Sequence, residues 1–116
     1  MLVRREAAEQ VGLLDERFFM YGEDLDWAYR LKSAGWSIRY NPQVNVLHYK
    51  GESSRQTSSR ATLAFYRSMR LFYEKHYQPT TAAPLDPVIR GAITARLCWS
   101  LFKNALRPHE SRRVST

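Results

Sequence analysis

A chain of 116 residues, 44% hydrophobic and 13% aromatic, is long enough for one domain with a modest core and too apolar for a disordered segment. Its net charge of +7 sits toward the C-terminus, since residues 1–48 sum to −1, residues 49–87 to +3 and residues 88–116 to +5, so an anionic surface is the partner to expect at that end. No run of about 20 residues is free of charge, which argues against a transmembrane helix; the charges of Met1–Arg5 come in the wrong order for a signal peptide; and one cysteine, Cys98, makes no internal disulfide and favours a reducing compartment.

In chain order, Leu2 and Val3 suggest the end of a buried strand, followed by a short helix from Glu6 to Val11 that Gly12 stops. A chain opening on a strand end starts in mid-fold; the alternative is a small domain that begins at Met1. The aromatic run Phe18, Phe19 and Tyr21 leads to Gly22, which permits a sharp turn and leaves Glu23 and Asp24 at a helix start, where the helix dipole favours carboxylates. Leu25, Ala28 and Leu31 at helical spacing predict a helix of about eleven residues ended by Gly35. Ser37–Tyr40 and Val44–His48 alternate as short strands around the turn Asn41-Pro42. Gly51–Ser59 is a polar loop, and Leu63, Tyr66, Met69, Tyr73 and Tyr77 form one stripe of a long helix from Ala61 to Tyr77.

Residues 78–87 hold three of the five prolines and predict a linker. Residues 88–107 predict an amphipathic helix, with the ridge Ile93, Leu97, Leu101 and Ala105 widened by Cys98 and Phe102, and with Arg96, Lys103 and Arg107 on the other side near Trp99. Two readings stand for it: an interfacial helix on a membrane, or a helix packed on protein. Residues 108–116 are polar enough for a disordered tail.

The ordered series from Asp15 through Phe18, Phe19, Gly22, Glu23, Asp24 and Asp26, then Arg30, Gly35, Trp36, Pro42 and His48, resembles the C-terminal half of the catalytic domain of family-2 glycosyltransferases, especially rhamnosyltransferase-like bacterial members, over roughly residues 1–75. The resemblance implies an α/β fold: the C-terminal part of a GT-A nucleotide-diphospho-sugar transferase, helix-rich, with a few short strands and two C-terminal amphipathic helices. Residues 1–77 would be the acceptor-side half of that domain. Sugar transfer from a nucleotide-sugar to a glycan or lipid-linked acceptor, with inversion, is the implied activity, at the inner face of the cell membrane. It also implies that half of such an enzyme lies outside these residues, so the isolated chain is expected to be inactive.

The resemblance makes Asp24 the catalytic base and sets Glu23 beside it, to hydrogen-bond the acceptor or steady Asp24. A carboxylate suffices for the base, because the acceptor hydroxyl becomes acidic as it bonds to the sugar. Two adjacent acids raise each other's pKa unless Arg17 or Arg30 compensates. Asp24-Leu25-Asp26 spells the family's metal-binding Asp-x-Asp, but on a helix residues two apart point about 200° apart, so that motif has no counterpart here. Asp26, Trp27 and Arg30 are expected on the acceptor side. Lys50 and Arg55 are candidates for the donor phosphates, and His48 for a divalent cation, Mn²⁺ or Mg²⁺, or else for a structural role. A small basic module for anionic membrane or nucleic acid is the alternative function. Nucleic acid is not expected, since the −1 of the first 48 residues leaves no basic patch on the folded core.

Overall fold

The computed structural model describes residues 1–43, 45 and 58–106, with only the backbone of Ser58. Among these residues four α-helices follow one another: α1 (Arg5–Val11), α2 (Glu23–Ser33), α3 (Ser58–His76) and α4 (Asp86–Leu106), with a 3-10 turn at Gln78–Thr80. α2 has the expected eleven residues and starts one residue before Asp24. It ends as its glycine predicts: Gly35 takes φ 90°, and the Gly35 and Trp36 N–H groups return to the Lys32 and Leu31 carbonyls at 3.1 and 3.0 Å, so the last turn is closed.

The arrangement is helix-rich, as expected, but among the described residues there is no strand, so the few short strands are not seen there. Leu2 is fully exposed rather than buried in a strand end, and Ile38 and Tyr40 are exposed in an irregular segment. Alternating residues become a strand only when a neighbour takes up their backbone N–H and C=O groups, and no described residue does so for Ser37–Tyr40. Of the second expected strand, Val44 and Val46–His48 lie outside the described residues, as do Gly51–Thr57 of the expected loop and the tail 108–116.

α3 is the middle layer. One side of it faces α2: the Ser68 hydroxyl donates to the Met20 carbonyl at 3.0 Å, and Phe72 and His76 pack on the Tyr29 ring, with centroids 5.7 and 4.2 Å away. The other side faces α4 through Tyr66 Oη and Ser100 Oγ (2.9 Å), Asn104 to Thr62 (3.0 Å) and Tyr73 Oη to Asp86 (3.1 Å). The stripe read from the sequence is half of this: Tyr73 is buried, whereas Met69 and Tyr77 are exposed. A helix covered on two sides spreads its contacts beyond one stripe. The result is a slab 49 × 44 × 24 Å, whose buried apolar residues, among those described, are Ala7, Phe18, Leu31 and Tyr73.

Candidate active site

The acid-bearing turn is built from two consecutive left-handed residues, Tyr21 (φ 67°) and Gly22 (φ 88°). Tyr21 holds this conformation with its ring against Phe65, centroids 6.1 Å apart. Gly22 has a further reason to be glycine, because a Cβ there would sit 3.3 Å from the Phe18 ring and 3.4 Å from Ser68 Cβ. Its carbonyl accepts the Asp26 N–H at 2.8 Å and opens α2. Gly22→Ala is therefore expected to destabilise the fold by about 2 kcal/mol through backbone strain and crowding, seen as a lower urea midpoint with an unchanged slope.

The three acids that follow have three different environments. Asp24 is exposed, with one oxygen accepting the Leu25 N–H at 2.8 Å. Glu23 is half-buried, and its Oε2 is buried with no hydrogen-bond partner among the described residues. Asp26 is 0% exposed. Its Oδ2 accepts from Arg30 Nε at 2.9 Å, and its Oδ1 meets Lys75 Nζ at 2.8 Å and His76 Nε2 at 2.6 Å. Burial pushes the Asp26 carboxyl up, but hydrogen bonds from Lys75, His76 and Arg30 outweigh it and hold the group below the usual carboxylate range. Lys75 also reaches Asp15 Oδ2 at 2.6 Å. Arg17 grips the same Asp15 carboxylate, and with Lys75 it holds that group far below the ordinary value.

Of the residues expected on the acceptor side, Asp26 thus lies at the centre of a buried charge network. Trp27 and Arg30 form the joint between α1 and α2. Trp27 Nε1 donates to the Gly12 carbonyl at 2.8 Å, and the Arg30 guanidinium donates to the carbonyls of Val11, Gly12 and Leu13, the last at 2.7 Å. Neither Arg17 nor Arg30 is turned to Glu23 and Asp24: one is engaged by Asp15, the other by Asp26 and the α1 terminus. A shallow depression of about 400 Å³ opens at the far end of α2, lined by Val11, Tyr29, Arg30, Ser33, Ala34 and His76, away from the exposed acid. Lys75 and His76 were missed in the sequence. The only signal was two basic residues in the last turn of a helix, which is ordinary helix-dipole complementarity.

His48, Lys50 and Arg55 lie outside the described residues. Among those described, no three His, Cys, Asp or Glu side chains converge to hold a metal ion. Asp26 is sealed under Arg30, Lys75 and His76 while Asp24 is exposed, so the two carboxylates of the Asp-x-Asp spelling face different surroundings.

The family model for glycosyltransferase-like family 2 matches residues 1–68, and the chain belongs to that family. It is 36% identical over 114 residues to the N-acetylglucosaminyl-diphospho-decaprenol L-rhamnosyltransferase of Mycobacterium tuberculosis, in strains CDC 1551 / Oshkosh and ATCC 25618 / H37Rv, covering 98% of this chain and 37% of that protein. It is 38% identical over 61 residues to rhamnosyltransferase WbbL of Escherichia coli (strain K12), covering 53% of this chain and 23% of that protein. The chain thus spans little more than a third of the length of the curated relatives it matches across nearly its whole extent. No solved structure matches it.

Proposed function

We propose that this segment supplies the acceptor-side acids of an inverting GT-A glycosyltransferase, which transfers a sugar, rhamnose being the first candidate, from a nucleotide-sugar to a lipid-linked glycan acceptor. Family membership supports the reaction class, the names of all these relatives support rhamnose, and those of the Mycobacterium tuberculosis relatives support a lipid-linked acceptor. The observation that carries the residue assignment is the division of labour among the three acids of α2: Asp24 exposed, Glu23 half-buried, and Asp26 ion-paired inside the protein.

In this reading the acceptor hydroxyl lies over the first turn of α2. Asp24 takes its proton as the hydroxyl oxygen attacks the anomeric carbon, and the bond to the nucleoside diphosphate breaks with its electron pair leaving on the diphosphate. Glu23, half-buried beside Asp24, orients the acceptor through the exposed part of its carboxylate or steadies Asp24. Asp26, Trp27 and Arg30 position the turn from behind rather than touching the acceptor. Lys50 and Arg55 remain the candidates for the donor phosphates, and His48 for the divalent cation. The described residues do not by themselves form that cation's site. The enzyme would work peripherally at the inner face of the cell membrane, held to anionic lipid by α4. No described helix is long and apolar enough to cross a membrane.

The test is transfer from UDP-, GDP- and dTDP-sugars to polyprenyl-diphospho-N-acetylglucosamine by a chain of the relatives' full length that includes these residues. Product from one donor is expected. Donor hydrolysis without transfer, or no product from any donor, would end the reading. The 116 residues alone are expected to bind no nucleotide-sugar in calorimetry, and micromolar binding would show that the donor site lies within them.

A further inference from the structure

Of the ridge that the sequence suggests, Ile93, Leu97 and Leu101 are half-buried, with Ser100 and Asn104, on the side that packs on α3, whereas Ala105 and the widening residues Cys98 and Phe102 are exposed. A second apolar line runs along the opposite side: Val88, Ala92, Ala95, Trp99, Phe102 and Leu106. At spacings of four and three they fall within about 40° of one line on the helix. All six are exposed, the large ones at 63% (Val88), 58% (Trp99), 55% (Phe102) and 67% (Leu106). The line is about 27 Å long at the rise of an α-helix.

We infer that this outer line, rather than the ridge suggested by the sequence, is the surface that α4 lays on a bilayer of anionic lipid. The inference deepens the peripheral-membrane part of the reading above and rests on it. Charge selects the occupant. Asp86 is the one acidic residue of α4, and it is engaged by Tyr73 and lies near Arg90, off the outer line. Arg96 and Lys103 are exposed along one border of that line, and residues 88–116 carry +5. An apolar ridge with cations on its flank and Trp99 within it suits headgroups above an acyl boundary. A second copy suits it less. Two-fold pairing along the line centres near residue 97 and sets Arg96 beside Arg96, with no carboxylate on that face to offset them.

The geometry also gives the contact a consequence. α4 is tied to α3 by Tyr66 and Ser100, and α3 to the acid-bearing turn by Ser68 and Met20, so a helix seated on lipid fixes the position of Glu23 and Asp24 above the bilayer.

The experiment is co-sedimentation of the 116-residue chain with vesicles of phosphatidylglycerol and phosphatidylcholine, and with phosphatidylcholine alone. Binding to the anionic vesicles only, weakened by salt, is expected. Trp99→Glu with Phe102→Glu should lower the partition coefficient at least tenfold with no loss of helical circular dichroism, and Arg96→Gln and Lys103→Gln about fivefold each. Leu97→Glu should instead lower the melting temperature, which sets the inner face apart from the outer one. Binding that survives the Trp99 and Phe102 changes would overturn the inference. So would a dimer in sedimentation velocity that Trp99→Glu dissolves, because a second copy would then be the occupant. Vesicle binding needs no sugar transfer, so its failure would leave the transfer reading standing, and a failed transfer assay would leave the vesicle result intact.

Discussion

In a chain of the relatives' length, Asp24→Asn is expected to lower turnover by about 10² to 10⁴, or roughly 3 to 5 kcal/mol of barrier, while nucleotide-sugar affinity stays as it was. The amide keeps the shape of the side chain and its hydrogen bond from the Leu25 N–H, but it accepts no proton. Affinity is spared because a base that touches the acceptor contributes nothing to holding the donor. Stability should hardly change either, since Asp24 is exposed and joins no ion pair among the described residues. Steady-state rates, donor calorimetry and thermal melts on one variant separate these effects. Near-normal turnover would remove the base assignment, and lost donor affinity would reopen the Asp-Leu-Asp segment as a metal ligand.

Glu23 should behave differently. Glu23→Gln keeps a hydrogen-bonding group beside the acceptor, so the larger change is expected in the acceptor KM and not in kcat. Equal losses in both variants would show that the two carboxylates act as one unit.

The helices were legible in the sequence because their signals are local. Gly12, Gly22 and Gly35 punctuate the chain with positive φ where side chains are disfavoured, and the apolar spacing between them sets α2 almost to the residue. The strands were not, because pairing is not a property of one segment: Ser37–Tyr40 alternates as a strand would and has no neighbour among the described residues. The two faces of α4 show the same limit. Periodicity found the helix and one apolar ridge, but a helix with apolar residues on opposite sides does not declare which side its neighbour takes. That depended on Tyr66, Thr62 and Tyr73 of α3, which reach Ser100, Asn104 and Asp86. Asp26 was the hardest to place. Beside Glu23 and Asp24 it looks like a third acid of one cluster, and only Lys75 and His76, about fifty residues on, withdraw it from the surface.

That withdrawal carries the second large effect. Asp26→Asn is expected to destabilise the fold by about 3 kcal/mol, the usual cost of removing one partner from a buried charge cluster. The carboxylate is fully buried and meets Arg30, Lys75 and His76 within 2.9 Å, so an amide would turn a donor toward groups that are themselves donors. Lys75 would retain Asp15 and the Arg30 guanidinium would retain the α1 carbonyls, which limits the loss and keeps the joint between α1 and α2. The pH dependence follows from the direction of the shifts. Asp26 and Asp15 both have folded-state values below their unfolded ones, so the stability they contribute is present above about pH 4, the unfolded carboxylate value, and is lost as pH falls through the folded values. Urea unfolding at pH 7 should therefore show the full gap between wild type and Asp26→Asn, and the gap should narrow as the pH falls below about 4, where Asp26 is protonated first in the unfolded chain and, at its lower folded value, in the native one. A variant as stable as wild type at pH 7, or a gap that persists unchanged into acid, would mean that the buried carboxylate is not what holds α2 to α3.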